Sequence, residues 1–275
     1  MTTATGRGII KQRIITALIA LPLLILFVFY ASPGLFAGLL FVVTALALHE
    51  FYRMALPVKR RLESSLSVAT GVLFSVGLVY APDSSFLLLC IVLPSLFLTL
   101  VYLFRFQDMQ SVSRDLAVSL LGLLYVPLLL SHAALLRTLP DGSDWIFLVL
   151  FIVMASDSMA YFVGKTCGRH RLYEAVSPKK SIEGSLGGLA GGVLGAMLCK
   201  LLLFAELSSV DILLLGIGVG AFSQLGDLVE SLMKRSFGVK DSGTLIPGHG
   251  GVLDRLDSLL FAFPVTYYYA LWAFV

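Results

Sequence analysis

Four of the polar residues in GAFSQLGDLVESLMKR, at the end of a long apolar segment, fall at helical intervals. Asp227, Glu230, Ser231 and Lys234 follow i, i+3, i+4, i+7 spacing and so share one helix face. An acid within a membrane-spanning helix is costly and marks a functional site by default. Glu230 has a second reading, as a helix end emerging into water and pairing with Lys234. In HGGVLDRLDS, Asp254, Asp257 and Ser258 stand at i, i+3, i+4. Two carboxylates facing one way repel, and one protonates unless a cation lies between them. Oxygen donors without a Cys or His cluster suit a hard cation such as Mg²⁺. The same acids would also be favoured by the dipole at a helix start.

Three further stretches carry chemistry. PGHGG precedes the Asp254 helix, and its glycines, among them Gly250 and Gly251, let backbone amides approach an anion. With Lys234, Arg235, Lys240 and Arg255 around it, the stretch reads as a polyphosphate cradle or as a basic loop on lipid headgroups. His249 in that loop serves as a base, a phosphate ligand or a turn cap. In SPKKSIEG, one reading starts a helix at Ser177–Pro178, with Lys179 and Lys180 in a first turn that a bound anion would stabilise. The other leaves SPKK as loop and starts the helix at Ser181. Asp157 and Tyr161, one turn apart in ASDSMAYFVG, could line a polar cavity.

The elements that must position these groups are membrane helices. Of 275 residues, 58% are hydrophobic and 13% charged, far from the balance of a water-soluble domain. Apolar stretches lie at about 14–30, 35–56, 66–81, 86–104, 116–136, 145–165, 182–204, 210–233 and 259–275. Each is long enough for a helix, which satisfies its own backbone in lipid. The chain is therefore expected to be an all-α, polytopic integral membrane protein with about nine transmembrane helices. Residues 1–115 would carry helices one to four, and 116–275 helices five to nine and the site. The basic MTTATGRGIIKQR and the long run after it read as an uncleaved first helix rather than a signal peptide.

Charge orients the spans. With the N-terminus in the cytoplasm, all but two of the 20 lysines and arginines fall on the inner side. The exceptions are Arg137 and Lys200. This asymmetry places the N-terminus inside, the C-terminus outside and the charged loops in the cytoplasm. The net charge of +3 is small and the basic residues are scattered, so nucleic acid is not an expected partner. Cys90, Cys167 and Cys199 form no metal or disulfide pattern and read as reduced, structural thiols.

SLMKRSFGVKDSGTLIPGHGGVLDRLD, residues 231–257, closely resembles the signature of the phosphatidate cytidylyltransferases, or CDP-diacylglycerol synthases. The matching positions are Ser231, Lys234, Arg235, Lys240, Asp241, Pro247, His249, Gly250, Gly251, Asp254, Arg255 and Asp257. DSMAYFVGKTCGR and SPKKSIEG also look like family segments, with Ser181 where threonine is commoner. The N-terminal spans match in number and hydropathy, with HEFYRMA as a local echo. The DGxxAR…GxxxDxxxD pattern of CDP-alcohol phosphotransferases is absent.

The resemblance implies that CTP and phosphatidic acid give CDP-diacylglycerol and pyrophosphate. It implies Mg²⁺ held by Asp227 and Asp254 with Asp257 close by, and a second metal or K⁺ as a family alternative. Lys234 and His249 would join Asp227 and Asp254 in catalysis. Because the phosphatidate phosphate is already anionic, His249 is favoured as a ligand or orienter over a base. Ser231, Arg235, Lys240, Gly250, Gly251 and Arg255 would bind substrate phosphates, with Lys179, Lys180, Asp157 and Tyr161 as the other wall. The resemblance also implies a bacterial-type cell membrane, surrounding membrane lipids and a homodimer.

Overall fold

The computed structural model describes residues 22–81, 83–245 and 250–274. The chain is helical nearly throughout. Helical residues 22–30 lead to α1 (Pro33–Ala55), a 3-10 turn (Val58–Arg60), α2 (Arg61–Val79), α3 (Ser84–Phe104), α4 (Val112–Tyr125) and α5 (Pro127–Thr138). Then come α6 (Gly142–Cys167), β1 (Arg171–Tyr173), β2 (Ser177–Ser181), α7 (Ile182–Leu202), α8 (Ser209–Ser236) and α9 (Leu253–Ala273).

Caps explain many of the starts. Ser32 accepts from Leu35 N–H, with Pro33 in the first turn, and Asp83 accepts from Phe86 N–H at 2.8 Å. Ser208 and Asp211 form a reciprocal capping box at the head of α8. The expected span at 116–136 is two helices. Pro127 has no N–H to give to the preceding turn, so the α4 ladder stops at Tyr125 and restarts.

Seven segments among the described residues are long and apolar enough to cross a bilayer by length and composition. They run Pro33–Ala55, Val58–Val79, Ser84–Phe104, Val112–Thr138, Gly142–Cys167, Ile182–Leu202 and Ser209–Ser236. The expected first span lies mostly outside the described residues. The expected last span falls on α9, where Pro264 and a run of tyrosines dilute the hydropathy. The chain is a polytopic, predominantly α-helical membrane protein. One small departure from an all-α fold is the antiparallel pairing of β1 with β2.

Packing divides the chain into two compact units. The first comprises the described residues of Met1–Leu128 and Asp241–Arg255. The second comprises those of Leu129–Lys240 and Leu256–Val275.

In the first unit, α3 turns most of its leucines outward, as a lipid-facing helix does, and buries Leu98 and Tyr102. The unit's interior contains a charged knot. Arg60 has 0% exposure. Its Nε donates to Asp115 at 2.9 Å, and its Nη1 donates to Glu63 at 3.3 Å and to the Arg105 carbonyl at 3.0 Å. The guanidinium also lies over the Tyr102 ring, 5.1 Å from its centroid. Tyr102 and Tyr52 both reach Ser119, one at the hydroxyl and one at the carbonyl. The knot ties α1, α2, α3 and α4 together.

In the second unit, α6, α7 and α8 approach closely because α7 carries GSLGGLAGGVLGA. A side chain at Gly192 would strike the Gly216 carbonyl on α8. Small residues of this kind let helix backbones pack without a hydrophobic driving force in lipid. Gln224 joins the three helices, bonding Ser185 on α7 and Ser156 on α6.

Removing one member of a buried ion pair strands the other. Asp115→Ala should therefore destabilise the protein by about 3 kcal/mol, read as a lowered midpoint of thermal unfolding in detergent. Arg61→Ala, at the exposed neighbouring position, should change stability by no more than about 0.5 kcal/mol.

Candidate active site

The second unit gathers three of the expected acids. Asp227 projects from α8, and Lys180, on β2, reaches its Oδ2 at 2.8 Å. Ser231, one turn along, donates to Asp227 Oδ1 at 3.3 Å. Both members of the Lys180–Asp227 pair are partly open, with side-chain exposures of 26% and 33%. Gly226 lies directly against the Asp257 carbonyl, where no Cβ would fit, so α8 and α9 touch beside Asp227. The charge of Asp227 is felt both at Asp257 on α9 and at Asp157 on α6. Lys180 offsets it at Asp157, and Lys234 at Asp257. Glu230 is fully buried and paired with Lys234, so it is not a helix end emerging into water.

The hairpin decides between the two readings of SPKK. Ser177–Ser181 is a strand, and α7 starts at Ile182 with Ser181 as its N-cap, accepting from Gly184 N–H at 3.1 Å. Lys179 and Lys180 thus precede the helix and do not crowd its first turn. Lys179 is exposed, while Lys180 turns to Asp227. Glu183 in the first turn of α7 instead receives the N–H groups of Arg169 and His170, closing the hairpin. Tyr161 is exposed on α6, with the Lys165 ammonium 5.8 Å from its ring centroid. Arg235 and Lys240 are exposed at and beyond the end of α8, and Arg235 donates to the Val239 carbonyl.

The first unit holds the glycine loop and Asp254. Asp254 accepts from Ser242 N–H through both oxygens, at 3.1 and 3.0 Å, and from Gly251 N–H at 2.8 Å. Gly250 has φ +86, a conformation open to glycine at little cost. Glu50, near the end of α1, is buried, and its Oε2 accepts from Ser242 Oγ and Leu253 N–H. Arg255 is exposed. Pro247 and His249 lie outside the described residues.

Among the described residues, no three His, Cys, Asp or Glu side chains stand close enough to grip a metal ion. The donor set of Asp227, Asp257 and Asp157 is nonetheless all oxygen and suits a hard cation. Two ammonium groups, Lys180 and Lys234, supply positive charge there in this structure. Asp254 differs from Asp157, Asp227 and Asp257 because both its oxygens accept backbone N–H groups.

The expected acids were found by spacing. Their partners were not. Lys180 lies far from Asp227 in sequence, and no local spacing links Gln224 to Ser185 and Ser156, or Glu50 to Ser242.

The cytidylyltransferase family model matches residues 11–273. A phosphatidate cytidylyltransferase of Bacillus subtilis is 32% identical over 94% of this chain and 96% of that protein. One from Synechocystis is 35% identical over 94% of this chain and 95% of its own length. One from Staphylococcus epidermidis is 39% identical over 55% of this chain and 57% of its own. With its signature complete from Ser231 to Asp257 and similarity running almost end to end, the chain belongs to the cytidylyltransferase family.

Proposed function

We propose that this protein transfers the cytidylyl group of CTP to phosphatidic acid, giving CDP-diacylglycerol and pyrophosphate. The observation that carries this reading is the open Asp227–Lys180 pair beside Asp157 and Asp257, in a chain whose relatives are named for that reaction. An oxygen of the phosphatidate phosphate attacks the α-phosphorus of CTP. The bond to the β-phosphate breaks and pyrophosphate leaves with its electron pair. The attacking oxygen is already anionic, so no strong base is required. Catalysis is then mainly positioning and electrostatics.

The site's residues divide that work. Asp227, Asp254 and Asp257 would be the Mg²⁺ ligands that the family resemblance implies, with Asp157 near Asp227 and Asp257, and the ion's charge would offset that of the nucleotide phosphates. Lys180 is ready to exchange its carboxylate partner for a phosphate oxygen, while Lys234, held by Glu230, adds fixed positive charge beside Asp257. Arg235, Lys240 and Arg255 are exposed cations for the triphosphate. Gly250 and Gly251 let backbone approach it, and Asp254 keeps that turn in shape through Ser242 and Gly251. His249 fits a role as phosphate ligand or orienter. Nine spans, a cytoplasmic N-terminus, an outer C-terminus and a cytoplasmic site complete the reading. They bring water-soluble CTP and a bilayer lipid to one boundary. A homodimer is the assembly that the family resemblance favours.

Purified protein in detergent should convert labelled CTP and phosphatidic acid to CDP-diacylglycerol, and chelation by EDTA should stop it. Asp227→Asn should lower kcat by about 100-fold or more with expression intact. Undiminished turnover in that variant would remove Asp227 from the site, and no product from wild type with any phosphatidate would overturn the function.

Orientation has its own test. Cys167 is the exposed native cysteine and ends α6 on the proposed cytoplasmic side. A membrane-impermeant maleimide should label it in inverted vesicles and leave it unlabelled in right-side-out ones. The reverse pattern would invert the topology.

A further inference from the structure

Glu50 belongs to α1, yet its carboxylate lies within the loop that precedes α9. One oxygen, Oε2, accepts from Leu253 N–H at 2.9 Å and from Ser242 Oγ at 3.3 Å. Ser242 and Leu253 are the two ends of that loop. A single oxygen therefore draws both ends together. The fit is close, since a side chain at Gly243 or at Gly251 would collide with the Glu50 carboxylate. Asp254 closes the same turn from the other direction, through the N–H groups of Ser242 and Gly251. The second oxygen of Glu50, Oε1, is buried without a hydrogen-bond partner among the described residues. A buried carboxylate oxygen in that state is expensive. A position that needed only to fill space would be better occupied by leucine.

We propose that Glu50 is a positioning residue for the reaction, holding Ser242, Gly243 and Gly251 against the first turn of α9 in the arrangement that receives substrate phosphates. The inference rests on the function proposed above. Glu50 does not touch the reacting atoms in this account. It acts through Ser242 and the Leu253 amide, which makes it an acceptor first and a charge second. Its place about 190 residues upstream couples α1 to a loop near the other end of the chain.

The test measures turnover and loop motion together. A nitroxide is placed on Thr244→Cys, an exposed loop position, with Cys167→Ser removing the exposed native thiol. Glu50→Ala should lower kcat by about 100-fold and make the label more mobile. Glu50→Gln retains an acceptor for the Leu253 N–H and should recover to within about 5-fold of wild type, with wild-type label mobility. Ser242→Ala, which removes one of the two bonds, should fall between them and serves if Glu50→Ala does not fold. Wild-type turnover in the Ala variants, a Gln variant as impaired as Ala, or an unchanged label would each overturn the proposal. If wild-type protein makes no CDP-diacylglycerol, the function fails instead. Label mobility needs no turnover, so it still decides whether Glu50 holds the loop.

Discussion

Hydrocarbon offers an ionised side chain nothing to bond with, so each charge placed inside this chain's helices must be answered by the protein itself. Arg60 is answered by Asp115, Glu63 and a carbonyl. Glu230 is answered by Lys234 one turn along its own helix. Glu50 is answered by a hydroxyl and an amide from the far end of the sequence. The Arg60 and Glu50 contacts also fix which elements meet and at what height, because a buried charge displaced by one turn would lose its partner. The rest of the packing, glycine against carbonyl and leucine against lipid, is far more tolerant of sliding.

The same constraint separates structural charges from the chemical ones. Arg60–Asp115 and Glu230–Lys234 are closed to solvent or nearly so, and breaking them leaves a stranded ion. Lys180–Asp227 is partly open on both sides. Its exchange for another partner therefore costs little, since water or a phosphate can reach either group as it leaves. Asp157 and Asp257 lie within reach of the Asp227 charge, and Lys180 and Lys234 offset that charge at them.

Seven of the expected spans were legible because a membrane helix must be long, apolar and ended by charge. The shared face of Asp227 and Ser231 was legible because the helical repeat brings i and i+4 together. Other features depended on contacts no local pattern carries. Pro127 lay in plain view, yet the apolar run through it concealed the break. SPKK allowed two readings because a short strand and a proline-led helix start look alike. Ser181 as cap decided between them. Arg60 stood in a basic run, and only tertiary partners made it a buried residue. Asp254 was paired with Asp257 by spacing, whereas its bonds go to Ser242 and Gly251. Helical periodicity says which residues share a face, but it does not say which acceptor a loop amide will choose.

Precision at the acidic cluster is then a matter of how α6, α7 and α8 are locked. Glycine contacts bring the backbones close but specify register weakly, since one small residue resembles the next. Gln224 supplies the missing specificity. Its amide has donor and acceptor ends that cannot be exchanged without losing bonds, and it uses them on Ser185 and Ser156. It stands three residues before Asp227 on α8, while Ser156 immediately precedes Asp157 on α6. The contact that registers the two helices therefore also sets the spacing of their acids. In a bilayer, where alternative partners for an amide are scarce, one such contact can hold a register that a stripe of glycines alone would leave free to slip.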